Sequence, residues 1–261
     1  MLQLLTKTGM LGCKHVDSPI EVNHHLVGGT GPTVDRERYQ RLVGRLIYLS
    51  HTRPDISYVV GIVSQYMHDP RHCHMETVYR ILRYLKSAPG KGLLFAPHGH
   101  MRVEAFSDSD WVGSIEDRRS TSGYCSFVGG NLVTWRSKKQ SVVARSSAEA
   151  EYRAIALGIC ELMWLRTLLE DLGVTTKRPM QLFCDNKAAI SIANDPIQHD
   201  RTKHIEIDRH FIKEKLTSGL ICLPFVKTEH QLADILTKGL SSKMFHPLCF
   251  KLGMRDIYIP T

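Results

Sequence analysis

The sequence has no apolar run near the roughly 20 residues needed to span a bilayer. Residues 1–5 are too short for the core of a signal peptide, and no basic residues precede them. The seven cysteines are odd in number, widely scattered and without a Cys-x-x-Cys pair. That pattern is typical of free thiols, not of a disulfide framework or a zinc site. We therefore expect an intracellular protein that is not secreted and has no membrane partner.

The composition is that of an ordinary globular protein. With 261 residues, 43% hydrophobic and 23% charged, the chain can form one large domain or two modest ones. The net charge of +8 permits a polyanionic partner without requiring one. A compact basic group, Arg136, Lys138, Lys139 and Arg145, follows an acidic stretch. Such a run is usually a solvated face, but beside carboxylates it can hold phosphates.

Glycine and proline divide the chain. Residues 1–35 are rich in both and predict an irregular segment. Residues 36–92 show helical periodicity interrupted at Pro54, Pro70 and Pro89, which predicts a small helical unit. Within it, the consecutive His72, Cys73 and His74 resemble a metal cluster, but consecutive residues on a helix point to different faces. Residues 93–261 are predicted to form a further domain.

The domain over 93–261 is predicted to be α/β with a mixed five-stranded sheet. Extended runs at 93–110, 121–128 and 132–135, with Gly129-Gly130-Asn131 as a hairpin turn, predict three antiparallel strands. The pattern Ser146-Ser147-Ala148-Glu149 is a capping box and predicts the start of a helix of some 25 residues. Strands at 180–184 and 221–226, helices at 188–193 and 204–218, and a closing helix from about 230 complete the order β-β-β-α-β-α-α-β-α.

Four acids fall at comparable places in that order. Asp108 and Asp185 are predicted to end strands, and Glu151 and Asp234 to lie in the first turns of helices. Each has an ordinary structural interpretation, as a turn residue, a helix cap or an acid near a positive helix end. Because Glu149 is used by the capping box, Glu151 is free to point elsewhere. Four converging carboxylates would repel one another unless cations neutralised them. The set therefore suggests two hard divalent ions roughly 4 Å apart.

The order of elements and acids resembles the ribonuclease H domain of Ty1/copia-type retrotransposon Pol polyproteins. The helical unit, with Tyr39-Gln40-Arg41-Leu42-Val43-Gly44 and Thr52-Arg53-Pro54-Asp55-Ile56, resembles the segment that joins polymerase to nuclease. The motifs that carry the nuclease resemblance are Ser107-Asp108-Ser109-Asp110-Trp111, Arg118-Arg119-Ser120-Thr121-Ser122-Gly123-Tyr124, Trp135 with Ser137-Lys138-Lys139-Gln140, Ser146-Ser147-Ala148-Glu149-Ala150-Glu151-Tyr152, Cys184-Asp185-Asn186, Arg201-Thr202-Lys203-His204-Ile205 and Leu232-Ala233-Asp234-Ile235-Leu236-Thr237-Lys238.

The resemblance implies a ribonuclease H-like fold and an endonuclease that hydrolyses the RNA strand of RNA–DNA hybrids. It implies Asp108, Glu151, Asp185 and Asp234 as catalytic and metal-binding acids, with two Mg²⁺ ions or Mn²⁺ as the alternative. Asp108 is favoured over Asp110, so that Ser109 and Asp110 become turn residues with Trp111 as packing support. His230 lies where related nucleases often carry a histidine that helps product leave, although copia-like sequences commonly have an acid there. The expected substrate contacts are Arg136, Lys138, Lys139, Arg145 and Asn186.

The resemblance also sets limits and leaves alternatives. The chain has no Tyr-x-Asp-Asp motif, so we expect no DNA synthesis, and a reverse transcriptase would act in cis or in trans. An integrase would place its glutamate last, whereas Glu151 comes second. A cytoplasmic particle or the nucleus is the expected location.

One alternative to the nuclease is a silent retrotransposon remnant that at most binds nucleic acid. Another, a zinc protein using His199, His204, His210 and Cys222, lacks the closed spacing of structural sites, so no structural zinc is expected.

Overall fold

The computed structural model describes residues 2–22, 24, 26, 31–114, 116–175, 178–194 and 206–258. The described α-helices are α1 (Leu2–Lys7), α2 (Arg36–Ser50), α3 (Ser57–Ser64), α4 (His72–Ser87), α5 (Ser147–Asp171), α6 (Lys187–Asn194), α7 (Glu206–Thr217) and α8 (Ser242–Lys251). The described strands are β1 (Lys91–Leu93), β2 (Val103–Asp110), β3 (Thr121–Val128), β4 (Asn131–Lys139), β5 (Met180–Phe183), β6 (Ile221–Cys222) and β7 (Met254–Asp256). None of these helices is both long and apolar enough to cross a membrane.

Contacts group the chain into two compact units, residues 1–94 with 238–261, and residues 95–237. The sequence analysis placed boundaries at residues 35 and 92, and these stay a prediction. The last residues of the chain differ from that expectation, because strand β7 pairs antiparallel with β1 in the N-terminal unit. Residues 1–35 also contain more structure than expected, since α1 forms and Leu4, Leu5 and Ile20 are buried.

The unit over 95–237 is built on a five-stranded mixed sheet in the order β4-β3-β2-β5-β6. Strands β2, β3 and β4 are antiparallel, whereas β5 runs parallel to β2 and β6 runs parallel to β5. The predicted β3–β4 hairpin is present, with Gly129 and Gly130 at φ +58° and +77°, a region that favours glycine. The predicted fold class, α/β with a mixed five-stranded sheet, is confirmed.

Helix α5 covers one face of this sheet. The alternate residues Val103 and Ala105 of β2 share a buried cluster with Ile155 and Ile159 of α5, as the two-residue period of a half-buried strand predicts. The helix approaches β5 closely at Gly158, where an added Cβ would lie 3.0 Å from Leu182 Cδ1. The helix covers 25 residues, as predicted from sequence.

Several predicted elements have different bounds. In the run 93–110, Leu93 ends β1 and the next strand begins only at Val103. Strand β6 covers only Ile221–Cys222 of the expected 221–226. The expected closing α-helix is instead a pair of 3-10 helices, Thr228–His230 and Leu232–Leu236. The first residues of the helix expected at 204–218, and the motif at 201–205, lie outside the described residues.

The N-terminal unit packs helices α2, α3 and α4 around a buried ion pair. Pro54 begins a 3-10 helix, Pro54–Ile56, as its missing N–H donor predicts. Arg53 and Asp55 are fully buried with Nη2 2.7 Å from Oδ2, and the hydroxyl of Tyr84 donates to the same oxygen at 2.5 Å. Buried charges are tolerated when paired and hydrogen-bonded in this way. The motif therefore has a structural role within this unit.

Candidate metal centre and nucleic-acid site

Asp108 lies on β2 directly opposite Gly123 of β3, with only 2% of its surface exposed. The strand was expected to end at Asp108, but it continues through Asp110, whose carboxylate accepts from the backbone N–H of Thr121. Ser109 and Asp110 are therefore strand residues and not turn residues. The hydroxyl of Thr237 donates to Asp108 Oδ2. This bond fixes the carboxylate from across the site.

Trp111 follows β2 and is half exposed. Its indole Nε1 donates to the carbonyl of Ala144, 3.3 Å away. This contact links the end of β2 to the segment that leads into α5. Trp111 was expected to support the site by packing, and this hydrogen bond is the support that the structure shows.

Glu151 enters the site from the first turns of α5. The hydroxyl of Ser146 accepts from the N–H of Glu149, so the predicted cap is present. In a capping box the carboxylate of Glu149 would accept from the N–H of Ser146. Here it accepts instead from the N–H of Arg145, one residue earlier. Glu151 is left to face the sheet, where its Oε1 accepts from the N–H of Ser109 at 3.1 Å. The side chain is 5% exposed.

Asp185 follows β5 at the same end of the sheet. Its Oδ2 accepts from the hydroxyl of Thr228, 2.8 Å away. The next residue, Asn186, caps α6 by accepting from the N–H of Ala189 at 3.0 Å. Asn186 was predicted as a substrate contact. The capping bond occupies its side-chain oxygen.

Asp234 is delivered by the 3-10 helix Leu232–Leu236 and is 3% exposed. Gln231 anchors this segment, since its Nε2 donates to the carbonyl of Ser107 at 2.9 Å while its Oε1 accepts from the N–H of Ala233. The segment passes close to β3 at Gly123, where an added Cβ would lie 2.8 Å from Leu236 Cβ. The absence of a side chain at Gly123 permits this approach.

The acids form two overlapping groups of candidate ligands. One oxygen each of Asp108, Asp185 and Asp234 lie within 4.8 Å of one another. A second group of the same size joins Glu151 and Asp185 with the sulfur of Cys184. Asp185 belongs to both. Three converging carboxylates are the donor set that hard divalent cations take in proteins, so the first group fits such an ion.

Cys184 was not predicted as part of the site. Its thiol is fully buried, with Sγ 4.0 Å from Glu151 Oε2 and 3.4 Å from the N–H of Asn186. Burial, and next the negative charge of Glu151, raise the pKa of this thiol well above its usual range. The sulfur is therefore a neutral thiol beside the carboxylates.

The basic residues of β4 that were predicted as substrate contacts lie on two different faces of the sheet. Arg136 pairs in register with Tyr124, and Lys138 with Ser122, which in turn pair with Ser107 and Ser109. Arg136 and Lys138 therefore lie on the α5 side of the sheet, opposite to Asp108. Both are exposed, as is Arg145 before α5.

Lys139 is engaged within the protein. Its Nζ lies 2.9 Å from Asp117 Oδ1 and donates to Ser114 Oγ at 2.9 Å. Desolvation opposes ionisation of Asp117, but the hydrogen bonds from Ser114 and Lys139 prevail and lower its pKa to about 2. An ion pair that orders the β2–β3 connection accounts for Lys139 more directly than a phosphate contact does.

His230 lies at the end of the 3-10 helix Thr228–His230. Its ring is exposed, and Nε2 lies 3.7 Å from Glu229 Oε1. The bond from Thr228 to Asp185 attaches this turn to the ligand group. His230 is therefore beside the candidate centre but outside the described groups of ligand atoms.

Sequence reasoning missed the residues that orient the acids. Besides Thr228, Gln231 and Thr237, Gln140 connects the sheet to α5, because its Nε2 lies within 3.3 Å of Ser109 Oγ, Ser122 Oγ and the carbonyl of Ala150. Gln140 and Thr237 stood inside the recognised motifs, but a single sequence shows no partner for either. Contacts between residues so far apart in sequence become visible only in the fold.

Two groups of histidine and cysteine residues were considered as metal ligands. Of the alternative zinc ligands, His210 is exposed and Cys222 Sγ lies 3.8 Å from the carbonyl oxygen of Met180. In the apparent cluster at residues 72–74, the two histidines contact other groups. The ring of buried His74 accepts from the N–H of Arg71 and bonds the carbonyl of Leu26. His72 lies 3.9 Å from Glu76. His199 and His204 fall outside the described residues, so the expected absence of structural zinc stays a prediction.

A cavity of about 580 Å³ lies at the other end of β2 and β5. Arg102, Arg178, Gln181 and Cys222 are among its lining residues. None of the residues predicted for the nuclease site is among those that line it. The cavity is therefore separate from the acids, which lie where β2 and β5 end.

Known proteins similar to this chain identify its family. It is 42% identical over 259 residues to the retrovirus-related Pol polyprotein from transposon RE1 of Arabidopsis thaliana, covering 98% of this chain and 18% of the polyprotein. It is 43% identical over 162 residues to the uncharacterized mitochondrial protein AtMg00810 of the same plant, covering 62% of this chain and 68% of that protein. The chain belongs to the Ty1/copia-type retrotransposon Pol polyprotein family.

This Ty1/copia-type chain thus corresponds to a limited part of its curated polyprotein relatives, 18% of the RE1 protein and 17% of the RE2 protein. No family model matches it. Among solved structures, that of LC11-RNase H1 in complex with RNA/DNA hybrid is similar over 52% of this chain, with 12% sequence identity and a TM-score of 0.39.

Proposed function

We propose that this chain is a ribonuclease H that cleaves the RNA strand of RNA–DNA hybrids and works as part of a Ty1/copia-type Pol polyprotein. The observation that carries the proposal is the convergence of Asp108, Asp185 and Asp234 within 4.8 Å, with Glu151 beside Asp185. Separate elements that are distant in sequence supply these acids. A merely solvated acidic surface would not bury Asp108, Glu151 and Asp234 to this extent.

The acids are proposed to hold two divalent ions, Mg²⁺ or Mn²⁺. When bound, such ions supply an activated water and stabilise the leaving oxygen of a phosphodiester. The protein's part is orientation. Thr237 fixes Asp108, Thr228 fixes Asp185 and the N–H of Ser109 fixes Glu151. Pre-oriented ligands lower the cost of assembling the centre when substrate arrives.

The hybrid is proposed to lie across the exposed side of the centre. His230 ends the turn whose Thr228 bonds to Asp185, and Arg145 precedes the helix that carries Glu151; both are exposed and are proposed to contact phosphates or leaving product. Arg136 and Lys138 lie on the α5 side of β4 and would contact the duplex only around that edge. Contacts to 2′-hydroxyls would select the RNA strand. A reverse transcriptase, in cis or in trans, is the proposed partner.

The test is cleavage of a labelled RNA–DNA hybrid by purified protein with Mg²⁺. Asp108→Asn should lose at least about 100-fold in rate, since it removes a charge that holds the ion. Asp171→Asn is the matched control, because Asp171 is an exposed acid of the same unit at the end of α5. Equal rates for wild type and Asp108→Asn, both folded by circular dichroism, would refute the proposal. Hybrid binding without cleavage would favour the silent remnant.

A further inference from the structure

The second ligand group differs from the first in containing a sulfur atom. Glu151, Cys184 and Asp185 each place one ligand atom within 4.8 Å of the others. The proposed hydrolysis uses the two carboxylates but has no role for the thiol. The thiol is nevertheless held by two contacts, because Sγ lies 4.0 Å from Glu151 Oε2 and accepts from the N–H of Asn186 at 3.4 Å.

Hard and thiophilic cations would use this group differently. Mg²⁺ takes oxygen ligands and leaves a thiol unbound, whereas Zn²⁺ and similar soft ions bind thiolate together with carboxylate. With Zn–S about 2.3 Å and Zn–O about 2.0–2.2 Å, neighbouring ligand atoms of a tetrahedral site lie about 3.6 Å apart. The separation of Cys184 Sγ from Glu151 Oε2, 4.0 Å, exceeds this by a few tenths of an ångström, and all three ligand atoms lie within 4.8 Å of one another. Rotation of the carboxylate side chains would bring the three atoms to binding distance.

Two of the three side chains in this group are buried. Cys184 is fully buried and Glu151 is 5% exposed, whereas Asp185 is half-buried at the outer side. An ion bound there would be held by two anionic oxygens and one sulfur in surroundings of low dielectric, where charge interactions are strong. The thiol proton would leave to solvent as the metal–sulfur bond forms, since the thiolate is the ligand.

We propose that Glu151, Cys184 and Asp185 form a binding site for thiophilic divalent cations of the Zn²⁺ and Cd²⁺ class, and that occupancy of this site inhibits the nuclease. The inhibition rests on the proposed function, because it follows from Asp185 serving both ligand groups. An ion that draws Asp185 toward Cys184 removes a ligand from the hard-cation group. Binding itself does not depend on nuclease activity.

The binding experiment is a Cd²⁺ titration of the full chain in the presence of Mg²⁺, followed by the ultraviolet charge-transfer band of cadmium thiolate. Wild type should show one high-affinity component of this band. Cys184→Ser should lose that component, and Glu151→Gln should weaken it by about tenfold or more. Cys160→Ser and Cys222→Ser are matched controls, because they remove other thiols of the same unit and should keep it. Circular dichroism of each variant checks that it is folded.

The two proposals fail in different ways. If Cys184→Ser and wild type show the same high-affinity band, the thiophilic site is refuted whatever the nuclease does. If the cadmium thiolate band depends on Cys184 but neither wild type nor any variant cleaves hybrid, the binding site stands and the ribonuclease proposal fails. In an active preparation, each variant's Cd²⁺ inhibition is compared with its own rate in Mg²⁺ alone. Cys184→Ser should then need about tenfold more Cd²⁺ for half inhibition, and an unchanged requirement refutes the inhibitory role.

Discussion

Thr237 is the residue whose hydrogen bond to Asp108 bears most directly on the candidate centre. It donates to Asp108 and is itself completely buried. Thr237→Val keeps the shape but removes the donor, so we expect a loss of about 1–3 kcal/mol in stability. Because such supporting bonds orient metal ligands, Mg²⁺ affinity should fall about 10- to 100-fold. Isothermal titration with Mg²⁺ measures the affinity and denaturant unfolding the stability.

Thr237→Ser is the control, since it retains the hydroxyl and loses only a methyl group. We expect its Mg²⁺ affinity to stay near that of wild type. Equal affinities for the valine variant and wild type would show that Thr237 does not orient Asp108.

The Lys139–Asp117 pair gives a prediction about pH. The pKa of Asp117 is lowered to about 2 from a usual 3.8, so the pair contributes stability above pH 4 that is lost as the pH falls toward 2. Lys139→Met should raise the pKa of Asp117 toward its usual value, measured by carboxyl NMR titration. The stability effect should be small because Asp117 is more than one-third exposed. Lys138→Met is the control, and a pKa that moves equally in both variants would contradict the pairing.

At the scale of single residues, a local rule anticipated part of the arrangement. The resemblance favoured Glu151 over Glu149, in agreement with the predicted helix cap, and the structure shows Glu149 bonded to Arg145 and Arg153 while Glu151 accepts from the N–H of Ser109. The choice of Glu151 as a metal ligand stays a prediction. The basic residues of β4 were judged by closeness in sequence. Their distribution over two faces depends on strand register, which composition does not reveal.

Among the elements, the 3-10 helix that carries Asp234 depends on Gly123. An added Cβ would lie 2.7 Å from Thr237 Cγ2 and 2.8 Å from Leu236 Cβ, so Gly123→Ala must displace the helix or β3. We expect destabilisation of about 1–3 kcal/mol, the usual cost of overpacking, and weaker Mg²⁺ binding because Asp234 moves with the helix. Chemical denaturation and Mg²⁺ titration measure the two effects.

Gly44→Ala provides the contrast. Gly44 lies in the interior of α2 at an exposed position with open space around its Cα. Alanine there should stabilise the protein by about 0.5–1 kcal/mol. If Gly123→Ala behaved in the same way, the close approach of the two elements would be wrong.

Elements with strong local signals were predictable, and those determined by tertiary contacts were not. The β3–β4 hairpin and α5 were anticipated because glycine turns and helix caps are encoded locally. The closing segment was expected to be an α-helix. It forms a 3-10 helix while Gln231 and Thr237 bond to β2, and residues so distant in sequence exert no influence on local propensity.

For the whole molecule, charge repulsion among the acids links metal binding to stability. Without metal, Asp108→Asn should be as stable as wild type or more stable, because it relieves repulsion within the first ligand group. Mg²⁺ at 100 times its dissociation constant should stabilise wild type by about 2.7 kcal/mol. The stability of Asp108→Asn should change little when Mg²⁺ is added. Thermal unfolding with and without Mg²⁺ tests this, and Asp171→Asn should be stabilised by Mg²⁺ as wild type is. Equal stabilisation of Asp108→Asn and wild type would contradict the assignment of Asp108 as a ligand.

The segment that completes the centre is also distant along the chain from the strand it completes. Thr237 bonds to a carboxylate 129 residues earlier, and Gln231 to a carbonyl 124 residues earlier. Chains are synthesised from the N-terminus, and contacts between such distant residues carry a large loop-closure cost. During translation, β2, β3, β4 and α5 can therefore assemble while Asp108 still lacks these partners. A chain whose synthesis stops before residue 237 would therefore contain a nearly complete sheet but would lack the Thr237 hydroxyl that orients Asp108.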